Sequence, residues 1–588
     1  MKDNAPATAR RNEEVARLLE NIAKLLALKG ESPYRVRAYN EAARTISAMT
    51  ENVEDLHRAG RLQDIQGVGE SIASKISEYL DTGQSAYYED LKKEVSSTAA
   101  ELLEVPGIGP ARARLLYERL GISSVAELER AAREHRLRTL PGFGEKLEQK
   151  IGIEAARVAQ RTRRLLLGVA LPAAEEVVAH LRRTPAVREA DPAGSIRRMK
   201  ETIGDIDILV SSDHPAQVMD AFTHLPIVKE VLASGPTRGS ILTRNDLQID
   251  IRIVGHDDYG SALLYFTGSK DHNIALRTLA MQRGWKLSEY GLFDEKERRI
   301  AGRTEEEIYR SLGLDWIPPE LRENRGEVEA ARHHRLPHLV QPRDIKGDLH
   351  VHTDWSDGHD PPEQMVEEAI ARGYQYMAIT DHSRGLGVAR GLSLEAVRQQ
   401  RRLVDRLNER YAPFRILHGA EVNILADGSL DYPDSLLAEL DMVTVSVHSA
   451  FGQTRDQMTG RILRALENPH VDVLNHPSGR LLLGRAGYDV DMDAVIRVAA
   501  EHGVALEING QPDRLDLDDV WSRRAKEAGA ILVCDSDAHS TRQMDYVRYA
   551  VATARRGWVE PSDLLNALPL DRLLSHPSRR VRGRRRAA

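Results

Sequence analysis

Cysteine is almost absent from this sequence, with Cys534 the single example among 588 residues. One cysteine excludes both an internal disulfide framework and a zinc site built from several thiolates. Any bound metal must therefore be held by histidine, aspartate and glutamate, and the chain contains 21 histidines. The composition thus favours metal sites made of imidazole and carboxylate groups.

Long apolar runs are also missing. No stretch approaches the roughly 18 consecutive apolar residues that a membrane-crossing helix needs, and the first 20 residues, MKDNAPATARRNEEVARLLE, lack the apolar core of a secretory signal. We therefore expect a cytoplasmic, monomeric protein with no membrane partner. Because a single core rarely grows beyond about 250 to 300 residues, we also expect several domains.

The net charge of −7 conceals an excess of arginine at the end of the chain, between Arg579 and Arg586. A block of like charge is most often a solvated, disordered tail, and we interpret residues 576–588 in that way. The alternative is an auxiliary contact with DNA phosphates.

The pattern of apolar residues changes along the chain. Residues 12–155 show helical spacing interrupted at glycine and proline, whereas from 156 to about 316 short strand patterns alternate with helices. Residues 318–345 are rich in Pro, Arg and His and have little apolar periodicity, so we interpret them as an interdomain linker. From 346 onward strands and helices alternate regularly, which predicts a βα barrel.

The helical region contains a repeat in which an apolar residue precedes Gly-x-Gly and a helix follows. Glycines allow a tight turn that presents free backbone N–H groups at a helix start, where an anion is favoured. A single Gly-x-Gly is typical of an ordinary turn between helices, but three copies resemble helix-hairpin-helix modules, which implies binding of DNA phosphates without base recognition. The glycine pairs are Gly67/Gly69, Gly107/Gly109 and Gly142/Gly144.

Three aspartates occupy strand patterns in the second region. Asp205 and Asp207 in DIDILV point to the same face because side chains alternate along a strand, and Asp250 in QIDIRIV lies on another strand. Neighbouring carboxylates repel one another unless a cation lies between them. The trio therefore predicts Mg²⁺ or Mn²⁺ and two-metal phosphoryl transfer.

Gly194 and Ser195 precede this pair by about ten residues, and Tyr265-Phe266-Thr267-Gly268-Ser269 follows the third aspartate. In this order the motifs resemble the α+β nucleotidyltransferase palm and thumb of DNA polymerase beta, of family X. The resemblance implies gap filling with dNTPs, a motif that packs against the nucleotide sugar, and Arg277 at the template minor groove. The nucleotide-binding residues that it implies are Gly194, Ser195, Arg198, Gly204, Tyr265, Phe266, Gly268, Asn273 and Arg277.

Lys75 follows the first hairpin and falls where the same family has its lyase lysine. A lysine desolvated beside other cations has a lowered pKa and can form a Schiff base with an abasic sugar. Arg35 and Tyr39 match the pocket for a 5′-phosphate in that resemblance. A solvated lysine or a DNA-backbone contact is an equally good interpretation of Lys75.

The last region has a metal-ligand residue at most of its predicted strand ends. The C-terminal ends of strands in a βα barrel meet at one mouth, so these side chains are expected to surround one cavity. A lone histidine at a strand end is usually structural, but that explanation would have to recur at strand after strand. The candidates are His350, His352, Asp357, His382, Glu421, His448, His476, Asp537 and His539.

Their order resembles the PHP domain (polymerase and histidinol phosphatase), with a distorted (β/α)7 barrel and up to three Zn²⁺ or Mn²⁺ ions. The resemblance implies metal-assisted phosphoester hydrolysis with three ligand groups, Glu421 being shared by two of them. The first is His350, His352, Glu421 and Asp537; the second is Glu421, His448 and His476; the third is Asp357, His382 and His539.

Together these patterns predict a multidomain protein. It would be a family X repair polymerase for gapped or nicked DNA combined with a 3′→5′ exonuclease that also trims 3′-phosphates or cuts abasic sites. The alternatives are a PHP phosphatase for small metabolites tethered to DNA, and a non-catalytic DNA-binding scaffold. The predicted domains are 1–90 (helical, one hairpin), 91–155 (two hairpins), 156–256 (palm), 257–317 (nucleotide selection), 318–345 (linker), 346–575 (PHP) and 576–588 (tail).

Overall fold

The computed structural model describes residues 31–82 except 50 and 51, residues 105–162 except 106 and 123, and residues 164–576, together with scattered positions from 12 to 26 and from 85 to 102. Residues 1–11 and the predicted arginine-rich tail from 577 onward lie outside the described residues. The chain divides into two compact units, Met1–Arg164 and Leu165–Ala588.

The first unit is helical around a core of aliphatic side chains such as Ile22, Leu116 and Ile151. Its last helix continues through the domain boundary predicted at 155, so that the unit ends at Arg164. The described helices are Pro33–Ala48, Val53–Arg58, Glu70–Thr82, Pro110–Leu120, Val125–Arg133 and Glu145–Thr162.

The three predicted hairpins are present in this unit. The first glycine of each pair has a positive φ, +87° at Gly67, +96° at Gly107 and +80° at Gly142, which an L side chain rarely adopts. In every case the next helix begins directly after the second glycine, at Glu70, Pro110 and Glu145. The helix-hairpin-helix prediction is therefore confirmed.

The second unit begins with a palm built on a five-stranded sheet. The helices Leu167–Leu181 and Pro215–Thr223 pack against it through apolar side chains such as Leu171 and Phe222. In spatial order the strands are Glu189–Pro192, Ile206–Ser211, Gln248–Val254, Arg238–Thr243 and Val228–Ser234.

The thumb follows the palm, with a core formed by Leu264, Leu276, Leu292 and Ile308. Its helices are Tyr259–Thr267, Lys270–Gln282 and Glu305–Ser311, and its small antiparallel sheet consists of Lys286–Ser288, Gly291–Phe293 and Arg299–Ala301.

The segment 318–345, predicted as a linker, is packed rather than extended. It contains a helix, Glu327–Arg332, and its Leu321 and Leu339 belong to the thumb core. Its low apolar periodicity has a physical reason, because the segment also buries charged side chains that are paired, including the fully buried Arg322. The segment therefore extends the thumb and is not a free tether.

The remainder is a barrel of seven parallel strands in sequence order, with an isolated bridge from Val351 to Ala538 where the first and last strands meet. The (β/α)7 prediction is confirmed. The strands are Gly347–Val351, Tyr376–Ile379, Arg415–Asn423, Met442–Ser446, Val473–Leu474, Ala505–Asn509 and Leu532–Asp535. The helices are Pro362–Ala371, Leu394–Arg410, Asp434–Leu437, Arg455–Leu466, Met492–His502, Asp519–Glu527, Val547–Arg556 and Leu570–Leu574.

The palm and the barrel share a core. Leu515 and Tyr549 of the barrel pack among the aliphatic side chains of the palm. A Cβ on Gly168, in the first palm helix, would lie 2.4 Å from the Cβ of Pro512, so only glycine permits this approach. Among the described residues, no helix combines the length and apolarity required to cross a bilayer.

One buried ion network joins the palm to the thumb. The Glu305 carboxylate accepts hydrogen bonds from Arg197 Nη1 at 2.7 Å and from Arg322 Nη1 at 2.6 Å. Burial alone would raise the pKa of Glu305, but Arg322 and Arg197 together hold it well below its usual range. The carboxylate therefore stays charged in the folded protein at neutral pH.

We expect Glu305→Gln to lower the free energy of unfolding by about 3–5 kcal/mol at pH 7, because both arginines lose their buried counter-ion. The stabilisation is fully present above the unfolded pKa of 4.5 and is lost as the pH falls below it, so the two proteins should converge in acid. Urea unfolding across the pH range measures this. The exposed Glu306→Gln is the control and should change stability by no more than about 0.5 kcal/mol; an equal loss in both variants contradicts the account.

Candidate active sites

The aspartate trio lies at the edge where two parallel palm strands begin. Asp207 pairs directly with Asp250 across the strands, and Asp205 immediately precedes the first of them. Burial first, then Asp250 and Asp205, raises the pKa of Asp207 to about 6. In the described part of the chain, the three carboxylates are not drawn within 4.8 Å of one another. They therefore share one face and repel, as a site that requires a cation would.

Two neighbours shape the trio. Gln248 Nε2 donates to both carboxylate oxygens of Asp250, at 3.0 and 3.3 Å, a contact that sequence reasoning missed. Gly194 has φ +61°, and a Cβ there would lie 3.1 Å from Asp207 Oδ2. The absence of a side chain thus lets the Gly194–Arg197 turn approach the carboxylate closely.

A pocket beside the trio brings together three residues of the predicted nucleotide site. Asn273 Nδ2 donates to the carbonyl of Tyr265 at 2.7 Å, and Arg277 Nε donates to the carbonyl of Asn273 at 3.3 Å. Ser261 and Leu287 also line this pocket and were not anticipated, since small and apolar residues carry no chemical signature.

The remaining predicted nucleotide residues do not line this pocket. Arg198 Nη1 donates to the carbonyl of Thr267 and lies 3.2 Å from the position of a Cβ on Gly268. Phe266 is covered by Arg252, whose Cζ lies 4.1 Å from the ring centroid. Gly204 has no atom within 4 Å of its Cβ position.

Ser195 belongs to the short Gly194–Arg197 helix, and its carbonyl accepts a hydrogen bond from Lys200 N at 3.0 Å. The partially exposed Ser195 side chain therefore lies on the same turn as Gly194, next to Arg198. The Gly194–Arg197 helix thus places a partially exposed serine close to Arg198 in the chain.

Lys75 lies in a small cluster of the first unit. Its Nζ donates to the carbonyl of Ser71 at 2.8 Å and lies 4.6 Å from the ring centroid of Tyr87. Burial and then Arg35 lower the pKa of Lys75. Tyr39 is buried nearby, and burial and then Tyr87 raise its pKa, which Arg35 opposes. The arrangement is compatible both with a Schiff-base lysine and with a solvated lysine or a DNA-backbone contact.

The nine predicted ligands of the barrel converge at one mouth. His350 Nε2 lies 3.5 Å from Glu421 Oε2 and 3.4 Å from Asp537 Oδ1, and His352 Nε2 lies 3.3 Å from the same Asp537 oxygen. These are the members of the first ligand group that the resemblance implied. The structure brings all four of them together in the interior of the mouth.

The other two groups also assemble. His448 Nε2 and His476 Nε2 lie 3.3 and 3.0 Å from Glu421 Oε1, on the side of that carboxylate away from His350. Asp357 lies 3.4 Å from His382 Nε2 and 3.5 Å from His539 Nε2. Glu421 therefore lies between two groups, as a shared ligand would.

The donor atoms fit bound cations better than they fit one another. His350 Nε2 and His352 Nε2 lie 3.0 Å apart, and both face the same oxygen of Asp537. His352 Nδ1 is buried and, among the described residues, has no hydrogen-bond partner. Because a buried polar atom without a partner is costly, this imidazole nitrogen fits a site that holds metal ions.

Electrostatics divide the two histidines of this pair. Burial would lower the pKa of His350, but Asp537, Glu507 and Glu421 raise it well above its usual value. Burial, His539 and His382 lower the pKa of His352 to about 3. Both pKa shifts arise because carboxylates and imidazoles are buried close together, an arrangement in which a bound cation is stabilised.

Glu507 is a functional neighbour that sequence reasoning missed. Its Oε1 lies 2.6 Å from His350 Nδ1, and its Oε2 accepts a hydrogen bond from His476 N at 2.6 Å. It orients the ring of His350 from behind and fixes its tautomer. The signal was present in ALEIN, where Glu507 and Asn509 alternate on one face of a strand that is otherwise apolar.

Arg514 adds a positive charge at the rim of the cluster. Its Nε lies 3.7 Å from Asp537 Oδ2, and its side chain is 25% exposed. It could not be recognised from the sequence, because it follows the strand ends by several residues on a loop. A cation in this position favours an anionic substrate group at the mouth.

We expect Glu507→Gln to weaken metal binding at the barrel by roughly 10- to 100-fold, since the ring of His350 loses the carboxylate that orients it. Calorimetric titration of chelator-stripped protein with Mn²⁺ measures the affinity. The exposed Glu501→Gln serves as the control, and equal affinities in the two variants would remove Glu507 from the site.

Family models match most regions of the chain. They are a helix-hairpin-helix domain over residues 10–85, a SAM-like helix-hairpin-helix tandem over 99–157, the DNA polymerase beta thumb over 262–323 and the PHP domain over 348–511. Two proteins named "Probable phosphatase" match the barrel region: one from Thermoanaerobacter sp. (29% identical, 37% of this chain, 89% of the relative) and one from Acetivibrio thermocellus (32%, 33% and 78%).

A third relative spans nearly the whole molecule. It is the "DNA polymerase/3′-5′ exonuclease PolX" of Bacillus subtilis, 40% identical over 561 residues, which cover 95% of this chain and 98% of the relative. Hairpins, palm, thumb and PHP barrel occur together in this chain, and the similarity extends over all of these regions. The chain belongs to the PolX family, the family X DNA polymerases that carry a C-terminal PHP domain.

Proposed function

We propose that this chain is a repair polymerase that fills short gaps in DNA and carries its own 3′→5′ exonuclease. The observation that carries the proposal is the presence, in one compact unit, of two separate sets of ligand residues, the aspartate trio of the palm and the nine-residue ring of the barrel. Each set suits metal-assisted chemistry at phosphorus. We further propose that it acts as a cytoplasmic monomer on gapped or nicked DNA.

The hairpins would hold the duplex. Each presents backbone N–H groups at a helix start, and the second glycines, Gly69, Gly109 and Gly144, have no atom within 4 Å of their Cβ positions. A phosphate can therefore approach the backbone directly. These contacts position the duplex and carry no base information.

At the palm, Asp205, Asp207 and Asp250 would hold Mg²⁺ or Mn²⁺, which supply charge neutralisation and nucleophile activation when bound. The Gly194–Arg197 turn and Arg198 would receive the triphosphate. The Tyr265 backbone and ring would pack against the sugar, and Asn273 would reach the base. The chain itself thus orients the nucleotide so that its α-phosphate faces the primer 3′-OH.

At the barrel, the three ligand groups would hold Zn²⁺ or Mn²⁺, which supply Lewis acidity for phosphoester hydrolysis when bound. Arg514 would contact the phosphate of the terminal nucleotide, because it is the cation that lies against Asp537 at the rim. Glu507 would keep the ring of His350 in place. Trimming of 3′-phosphates and cleavage at abasic sites would use the same groups, since each cuts a phosphoester.

Two further possibilities rest on specific features. The pocket of Lys75, Arg35 and Tyr39 would give weak 5′-deoxyribose phosphate lyase activity. The lowered pKa of Lys75 supports this possibility, because a neutral amine is needed to form a Schiff base. The phosphatase relatives of the barrel keep open a small-molecule phosphatase tethered to DNA. The intact aspartate trio favours polymerase activity over that alternative.

We expect Asp205→Ala to reduce primer extension by roughly 1,000-fold or more while leaving the nuclease intact, because the palm loses a metal ligand and the barrel loses none. Asp537→Ala should do the reverse. A gapped duplex with a 3′ mismatch, assayed in Mn²⁺ with and without dNTPs, measures both activities. Loss of both activities in either variant would mean one composite site, and no extension by the intact chain would support the phosphatase.

Gly144→Glu should weaken binding of gapped DNA about fivefold at low salt, since a carboxylate then faces the phosphates where the structure leaves room for it. The difference should shrink at higher salt because charge is screened. Fluorescence anisotropy at two salt concentrations measures it. Gly144→Ala is the matched control, and equal weakening by alanine would assign the effect to backbone strain.

A further inference from the structure

A buried chain of alternating charges crosses from the barrel to the palm. Arg556, at the end of the barrel helix Val547–Arg556, has a side chain that is 1% exposed. Its Nη2 donates to Asp519 Oδ2 at 2.6 Å, and its Nη1 donates to Glu323 Oε1 at 3.0 Å. The same Nη1 donates to the backbone carbonyl of Arg198 at 2.7 Å. One barrel arginine thus reaches a palm residue through both a carboxylate and a peptide group.

Glu323 completes the connection. It lies in the packed segment after the thumb, and its Oε1 accepts from Arg198 Nε at 3.0 Å. The Arg198 guanidinium also donates through Nη1 to the carbonyl of Thr267, within the motif that faces the nucleotide. Two of its three nitrogens are therefore fixed by the protein. Among the described residues, the third, Nη2, makes no hydrogen bond.

This geometry orients Arg198 rather than blocking it. A carboxylate on Nε holds the guanidinium from its side-chain end and leaves a terminal amine for a phosphate oxygen. Glu323 does not cancel the charge of Arg198, because it is shared with Arg556. Asp519, the other carboxylate on Arg556, is itself shared with Arg325, so that three arginines face two carboxylates and one positive charge is left over. A triphosphate would therefore bind next to the positively charged guanidinium of Arg198, whose orientation is already fixed by the protein.

We propose that Arg556 and Glu323 are positioning residues for nucleotide incorporation, through which the nuclease barrel holds Arg198 of the polymerase site ready for the triphosphate. The inference rests on the proposed function, since it takes Arg198 as a phosphate contact. It assigns to the barrel a part in DNA synthesis that is separate from its own hydrolytic site. No ligand of the barrel cluster takes part in the chain of contacts.

Arg556→Gln tests the connection. We expect the KM for dNTP in gap filling to rise about tenfold or more, as befits the loss of a charge-assisted contact, with kcat changed by less than about threefold. Arg556→Lys should lie closer to the intact chain because it keeps the charge. Exonuclease activity on single-stranded DNA should stay within about twofold, which a general collapse of the barrel would not permit.

Arg325→Gln is the matched control. Arg325 Nη1 also donates to Asp519, at 3.0 Å, but among the described residues Arg325 makes no hydrogen bond or ion pair with Glu323 or Arg198. Its replacement removes a cation from the same buried carboxylate and should leave the KM for dNTP unchanged. Equal increases in KM for Arg556→Gln and Arg325→Gln would overturn the proposal, since the effect would then be one of stability.

Melting curves decide whether Arg556→Gln folds. If it does not, Glu323→Gln breaks the connection at its centre while the pair of Arg556 and Asp519 remains, and it should raise the KM for dNTP in the same way; an unchanged KM there overturns the proposal. Arg198→Ala separates this failure from that of the proposed function. An unchanged KM in Arg198→Ala, or no extension by the intact chain, would instead refute the nucleotide site itself.

Discussion

Parallel pairing of adjacent strands is the constraint on which both candidate sites depend. In the palm it sets Asp207 directly against Asp250 and brings the beginnings of both strands to the same edge of the sheet. In the barrel it directs the end of every strand to the same mouth, so that residues from His350 to His539 become neighbours. The ligands are distant in sequence and close in space because the strands run the same way.

Gathering these groups opposes folding in the absence of cations. Burial and then the neighbouring carboxylates raise the pKa of Asp207, and burial and then the crowded imidazoles lower the pKa of His352. The surrounding structure must therefore fix the side chains against their mutual repulsion. Glu507 behind His350, Gln248 beside Asp250 and Gly194 against Asp207 do so through contacts that are short and specific. Preformed ligand sets of this kind bind metal without a large rearrangement.

The sequence was sufficient for features that depend on local geometry. The glycine hairpins, the strand alternation that places Asp205 with Asp207, and the ligands at strand ends all follow from spacings of a few residues. What it did not reveal are charged residues that are buried as pairs. Arg556 and Arg198 are 358 positions apart, and a charged residue is normally read as exposed. The segment 318–345 looked like a linker for the same reason. It packs through paired charged residues such as Arg322 and Glu323, so its sequence lacks the apolar periodicity by which a packed element is recognised.

These buried charges explain why the two catalytic halves form one unit. Apolar contacts such as that of Leu515 with the palm core stabilise the association of palm and barrel, but they tolerate small displacements of one domain against the other. A carboxylate between two arginines does not, because each displacement leaves a buried charge without its partner. The charge network thus fixes the register between palm and barrel more tightly than the shared core alone. This arrangement suits a polymerase in which Arg198 and the nuclease barrel belong to one compact unit, so that we expect the DNA end, rather than a domain, to move between the two sites.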